Sequence, residues 1–402
     1  MDDRRYFGLD ALRGVMMMLG IVLHAAMLYM VAPPPAMPIP TDRNNGYGFD
    51  LIFTFIHDFR MPTFFVLAGY FTSLLVEKRG VPGTYQNRVS RILWPFLAAL
   101  VMILPVTGLL MFDFMLSARF GTHDLIPNLA DLKQLGAEVA AIKGEPAGRP
   151  MIGHLWFLYY LCMFYLLIPV CRWAIARSRR VGTGLRRAVG SPLAPLLLGL
   201  WTAVTLWPFH GGQVHEGFVY FTPHVPSLLY YGSFFVFGYV FHTYREFLTA
   251  TVRLLPAAAL LAAILFPLST LASALDNAAR GGSAELHFYA VVSNALCTWA
   301  LIYCVIGAAL RFLDRQAPWI EYISQSSYWV FLVHMPLVSL AGWWLIQFDL
   351  PAVLKFALVC AFTSVVALAS FHYWVQNTWI STFLHGRRFS MPWPWQKPGM
   401  PA

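Results

Sequence analysis

Charge is what this chain has least of: only 12% of its 402 residues are Asp, Glu, Lys or Arg, against 58% hydrophobic and 16% aromatic. A soluble domain carries about 25% charged residues, so a cytosolic enzyme, a secreted disulfide scaffold and a disordered protein are all disfavoured. Cysteine is scarce as well. Cys162, Cys171, Cys297, Cys304 and Cys360 fall in or beside apolar runs, with no CxxC pair and no Cys/His spacing that suits zinc. They read as buried thiols, and no metal is expected. No cleavable leader is expected either: Arg4, Arg5 and Arg13 precede an apolar run from Val15 that is too long for a signal-peptide core and has no small-residue cleavage site. No internal repeat is visible.

Long apolar runs are what the chain does have. A bilayer crossing takes about 20 apolar residues, and about ten segments qualify: 9–31, 49–76, 92–112, 153–171, 193–209, 227–243, 254–272, 288–310, 327–347 and 351–376. The expected fold is therefore an all-α polytopic membrane protein. The net charge of +9 suits topology better than nucleic acid, because the basic residues cluster beside span ends. Lys78, Arg79, Arg88 and Arg91 join the second and third spans; Arg172, Arg177, Arg179, Arg180, Arg186 and Arg187 join the fourth and fifth. The positive-inside rule then places both termini in the cytoplasm. In the long outer connection 113–152, which carries Asp124 and Arg149, the residues Leu129, Leu132, Leu135, Val139 and Ile142 recur at helical spacing. That pattern fits a short amphipathic helix or a solvated loop.

Polar side chains inside spans are costly and point to partners or pathways. The first span holds Asp10, Arg13 and His24, and the second holds His57, Asp58 and Arg60. At the helical rise, His24 lies roughly 10 Å below the outer end of its span, and His57 and Arg60 roughly 12–16 Å below theirs. All three can share one depth. An arginine there must be paired or hydrated, which makes Asp58 or an aqueous cavity the candidates for Arg60. A histidine in such a cavity is placed to take a proton from a hydroxyl at neutral pH, and His24 is the leading general base. His154 reads first as part of an interfacial aromatic belt, and His334 as a side chain bonded to a carbonyl freed by Pro336. His210, His215 and His224 share one outer loop with Glu216 but lack metal-ligand spacing.

These residues fall in a familiar order. Arg13 and His24 make an R-x10-H pattern, Arg88-Val89-Ser90-Arg91 is an RxxR at the start of the third span, and Phe64-Phe65-Val66-Leu67-Ala68-Gly69-Tyr70 is similar to an FFxxSGF motif with alanine where serine is common. Gly153-His154-Leu155-Trp156-Phe157-Leu158 and Ser327-Tyr328-Trp329-Val330-Phe331-Leu332-Val333-His334 follow in register. The chain thus resembles the membrane-bound acyltransferase 3 family across nearly its whole length. Through Tyr6-Phe7, Phe55-Ile56-His57 and Phe59-Arg60-Met61 it is similar to the branch of periplasmic glucan succinyltransferases.

The resemblance implies a multi-pass protein of the bacterial inner membrane, with both termini inside. It implies an acyl-CoA donor from the cytoplasm and delivery of an acetyl or succinyl group to a carbohydrate hydroxyl outside. His24 would be the catalytic histidine, and Arg13, Arg88 and Arg91 would serve the donor. The residues themselves, apart from the resemblance, make Arg60 or a neighbouring polar group, with Asp58 and His57 beside it, the candidate to stabilise the oxyanion, unless Arg60 only locks Asp58. The acyltransferase domain would cover 1–385, and 386–402 would form a cytoplasmic Trp/Pro-rich tail. Membrane lipid, acyl-CoA and the carbohydrate are the expected partners; a glycan-synthesis protein or a second copy of the chain stays open. So does a transporter or flippase that uses the same His, Asp and Arg side chains as a relay, or a sensor that has kept only the fold.

Overall fold

A computed structural model describes residues 6–34, 40–121, 129–143, 151–178, 190–215, 220–279, 282–389 and 391–393. Arg4, Arg5, Asp124, Arg149, Arg179, Arg180, Arg186, Arg187, Glu216 and residues 394–402 lie outside them. The described chain is helical, as the apolar runs require. Its helices are α1 (Phe7–Met27), α2 (Tyr47–Arg88), α3 (Trp94–Met102), α4 (Leu104–Phe120), α5 (Leu129–Lys143), α6 (Trp156–Tyr165), α7 (Ile168–Ser178) and α8 (Ala194–Leu206). The second half adds α9 (Val225–Thr243), α10 (Glu246–Arg253), α11 (Leu255–Ala279), α12 (Ala284–Phe312), α13 (Pro318–Leu345), α14 (Ala352–Ser370) and α15 (Trp379–His385). No strand forms among the described residues, where an isolated bridge pairs Met151 with Tyr220.

A helix covers each segment expected to span, but length and hydropathy single out fewer than ten. Among the described residues six stretches are long and apolar enough to cross a bilayer, and seven if Gly153–Tyr165 and Ile168–Arg177, bent by 53°, count as one broken span. Ala194–Leu206 has only 13 residues, short of a full crossing. The run Tyr47–Met102 is two limbs. Gly80 sits at φ 69, outside the helical region, and Arg88 donates to the Thr72 hydroxyl at 3.4 Å. Sixteen residues of straight helix would hold those two about 24 Å apart, so the chain doubles back at Gly80. The connection at 113–152 contains the helix expected from its spacing, α5.

Close packing follows from glycine. A Cβ at Gly69 would overlap the Phe235 carbonyl, and one at Gly238 the Val66 carbonyl, so α2 and α9 touch backbone to backbone. Around that crossing the core is aromatic, with Phe65, Trp156, Tyr231, Phe235 and Trp299 buried together. A second cluster, including Leu28, Tyr29, Phe53, Phe114 and Val338, fills the other end of α1. There the loop after α1 is anchored by a buried ion pair, Lys355 to Asp42 at 2.7 Å. By contrast α11 exposes Leu260, Ile264, Leu268, Leu271 and Leu275, and only 22% of its apolar window is buried. A stripe of that kind needs lipid against it.

Candidate active site

Two prolines shape the site by removing helical N–H donors. Pro62 leaves the Asp58 carbonyl, and Pro336 the Leu332 carbonyl, without an i+4 partner. Both are caught from a neighbouring helix. Thr298 of α12 donates to the Asp58 carbonyl at 3.2 Å, and His154 Nε2 donates to the Leu332 carbonyl at 3.3 Å. The sequence reading gave the freed carbonyl to His334. Instead His334 Nδ1 meets the Phe331 and Val330 carbonyls of its own helix at 2.7 and 3.1 Å.

These bonds fix the tautomers, because a carbonyl only accepts. His154 carries its proton on Nε2 and His334 on Nδ1, which leaves His154 Nδ1 and His334 Nε2 as bare acceptors; neither buried atom has a hydrogen-bond partner. His24 joins them. Its ring centroid is 5.2 Å from that of His334, which is 5.5 Å from that of His154. His24 Nδ1 lies 3.3 Å from the Met27 sulfur, also an acceptor, so Nε2 of His24 is the nitrogen left to act as a base. Three imidazoles from α1, α13 and the turn Gly153–Leu155 thus face one another as one cluster, the imidazole chamber.

Arg60 borders that chamber. Its Nε donates to the Met16 carbonyl at 2.9 Å, and its guanidinium lies against Gly20, one turn before His24. No ion pair joins Arg60 to Asp58. Two residues apart on a helix, they point about 200° from each other. Asp58 turns instead to the loop between α8 and α9, where Gln213 donates to it at 3.1 Å. The His57 ring lies 4.7 Å from that of His215 of the same loop, tilted by 33°, and His215 meets the Gln213 side chain at 3.0 Å. The expected cluster therefore divides: His24 and Arg60 face the imidazole chamber, while His57 and Asp58 face a loop. Burial pushes the His215 imidazole down to about 4, so it is neutral at physiological pH. That loop takes its shape from Gly211 and Gly212, both at positive φ, and from Asp276, which accepts from the Gly211 N–H at 2.8 Å and pairs with His287 at 2.8 Å. Among the described residues no group of three His, Cys, Asp or Glu side chains is gathered for a metal.

The other end of α1 is basic. Arg13 donates to Ser324 at 2.9 Å, pairs with Asp10 at 3.8 Å and lies over the Phe71 ring. Arg88 lies over the Tyr165 ring at 5.1 Å, with its Nε–H buried and without a hydrogen-bond partner. Arg91 is differently engaged. Its guanidinium packs on Gly386 and donates to the Thr382 and Phe383 carbonyls, capping the last turn of α15. Burial and then the charges of Arg13, Arg387 and Arg91 lower the nearby His385 to about 4. The field at this end favours an anion.

Arginines gather at one end of α1, imidazoles at the other, and the helix joins the two. Residues 6–372 match the model of the acyltransferase domain named Acyl_transf_3. The chain belongs to this acyltransferase 3 family. It is also similar to the "Glucans biosynthesis protein C" of Escherichia coli strain K12 and of Escherichia coli O139:H28 (strain E24377A / ETEC), each 27% identical over 355 residues, covering 85% of this chain and 83% of theirs. No solved structure matches it. The family and these relatives bear out the resemblance to a glucan-modifying branch, and the many apolar helices fit a membrane acyltransferase.

The acyltransferase 3 reading of the sequence selected Arg13 and His24 but gave little weight to His154 and His334. It did not single out Gln213 or Thr298. The motif order held His154 and His334 in plain view; what a single sequence lacks is the helix contact that turns them toward His24.

Proposed function

We propose that this chain is a multi-pass O-acyltransferase of the bacterial inner membrane that takes an acetyl or succinyl group from cytoplasmic acyl-CoA. The acceptor is a hydroxyl of an extracytoplasmic glycan, a class suggested by the names of the relatives. The observation that carries the reading is the division of α1, with Arg13 at its basic end and His24 in the imidazole chamber. Eleven residues separate them, roughly 16 Å of helix, the order of length of an extended pantetheine arm. Arginines suit the donor's phosphates through bidentate, charge-assisted bonds. Arg88, with an unpaired buried N–H, serves the donor directly with Arg13, whereas Arg91 frames their site through α15.

In the chamber, His24 Nε2 takes the proton of the acceptor hydroxyl as its oxygen attacks the thioester carbonyl. Arg60 stabilises the tetrahedral oxyanion. The intermediate collapses by breaking the C–S bond, and the imidazolium returns its proton to the departing thiolate. His334 lies against the His24 ring and holds it in position. Asp58 and His57 secure the loop that closes this end.

The test uses the protein in phospholipid nanodiscs with labelled acetyl-CoA or succinyl-CoA and a glucan acceptor. Acyl transfer is expected. His24→Ala should lower the rate on the order of 10²–10⁴-fold, the usual contribution of a general base, while CoA binding persists. A rate within a few-fold of wild type would remove His24 from the mechanism, and substrate flux without acyl transfer would favour a transporter.

A further inference from the structure

At the basic end, a cavity of about 570 Å³ opens between α2, α7 and α9, and no residue of the imidazole chamber lines it. Its volume lies within the range of small-ligand sites. Its chemistry is cationic: Arg172 and Arg245 line it against a single carboxylate, Glu77, with the His242 imidazole, Ser73 and Tyr239 completing the polar wall. His242 is buried and held in place, with Nδ1 3.0 Å from the Ser73 hydroxyl and Nε2 3.6 Å from Glu77.

The cavity's place on α2 ties it to the two donor arginines. Consecutive helical residues point about 100° apart, and three of them serve three basic neighbours. Phe71 lies beneath Arg13, Thr72 accepts from Arg88, and Ser73 lines the cavity. One turn of α2 is thus ringed by cations from α1, the limb after Gly80, α7 and the start of α10.

We propose that this cavity is a binding site for a phosphate-bearing anion, with Arg172 and Arg245 as the phosphate ligands. Their guanidinium forks supply paired donors for phosphate oxygens, and the ring and aliphatic walls take the apolar part of the ligand. The phosphate has two sources, the nucleotide end of CoA or the headgroup of an acidic phospholipid at the membrane face. The first source rests on the acyl-CoA reading above; the second does not.

The experiment compares wild type, Arg172→Ala, Arg245→Ala and Glu77→Gln in nanodiscs. In phosphatidylcholine alone, calorimetry with unacylated CoA reads the nucleotide source. In discs with phosphatidylglycerol, native mass spectrometry reads retained acidic lipid. Each arginine variant should lose about tenfold in one of these two readouts, the scale of a charge-assisted hydrogen bond. Glu77→Gln should tighten the same ligand about two- to fivefold by removing an opposing charge, a gain that a poorly folded variant would not give. Loss in the CoA arm assigns the cavity to the donor, and loss in the lipid arm assigns it to the bilayer. Unchanged CoA affinity together with unchanged lipid retention in both arginine variants overturns the proposal. Acyl transfer by wild type in the same discs is scored separately, so its absence counts against the acyl-CoA reading while the lipid arm still decides the cavity.

Discussion

At position 20 a hydrogen atom stands where any other side chain would drive a methyl group into the Arg60 guanidinium. Mid-helix glycine is otherwise unfavourable by roughly 0.5–1 kcal/mol relative to alanine, so Gly20→Ala should leave α1 at least as helical. The cost falls on Arg60, whose Nη2 end must shift away from its present place beside the chamber. The expected outcome is a transfer rate lower by at least about tenfold, short of the 10²–10³ for outright loss of an oxyanion donor, at an unchanged melting temperature. Unchanged turnover would show that the position of Arg60 does not matter to the reaction. At this scale the sequence was partly legible. The R-x10-H spacing and the depth of Arg60 were there to be read, and so was the geometric bar to an Asp58–Arg60 pair, since residues i and i+2 diverge. Which histidine would catch the Pro336-freed carbonyl was not, because the answer lies on another helix.

Among the elements, the loop from Phe209 to His215 is what engages Asp58 and His57, and nothing periodic in the sequence announces it. It reads as turn residues between two apolar runs. Its fold depends on a carboxylate and an imidazole from α11 and α12, namely Asp276 and His287. Its tip carries a titration with a definite sign. With its ordinary value near 6.5 and its folded value lowered to about 4, His215 stays neutral in the folded loop while an unfolded loop would bind a proton. The loop's stability is therefore full above about pH 6.5 and declines as pH falls toward 4. Hydrogen exchange at the Gln213–His215 amides should accelerate over that window, and His215→Gln should flatten the response. An equally steep response in the variant would assign the effect to another group. For the larger elements hydropathy sufficed, since every expected span is helical. It did not foresee the 13-residue length of α8 or the 53° bend after α6, which depend on packing.

Taken as a whole, the molecule brings both ends of its described chain to the basic end of the bundle. The Gly8 N–H donates to Asp314 beyond α12, Arg13 reaches Ser324 near the start of α13, Arg91 caps α15, and Trp393 packs 5.8 Å from Tyr322. An even number of crossings is the simplest way to return the chain there. The alternation of α1, the two limbs of the 47–120 run, the bent pair at 153–177, α8, α9 and α11 through α14 supplies ten if α8 and α9 cross as well, the eight-residue α10 being too short to cross. In the proposed topology the excess of basic residues beside these ends is the signal for the cytoplasmic side. A fluorescent protein that matures only in the cytoplasm should therefore glow when fused to either terminus, whereas a periplasmic reporter should be active when inserted after Gly121, at the end of α4. Opposite signals from the two termini would require an odd number of crossings, leaving α8 or α9 as a helix that enters the bundle without traversing it. Matching signals on the outside would invert the molecule, placing the arginines of the basic end on the far side from the cytoplasmic CoA pool and ending the donor reading with them.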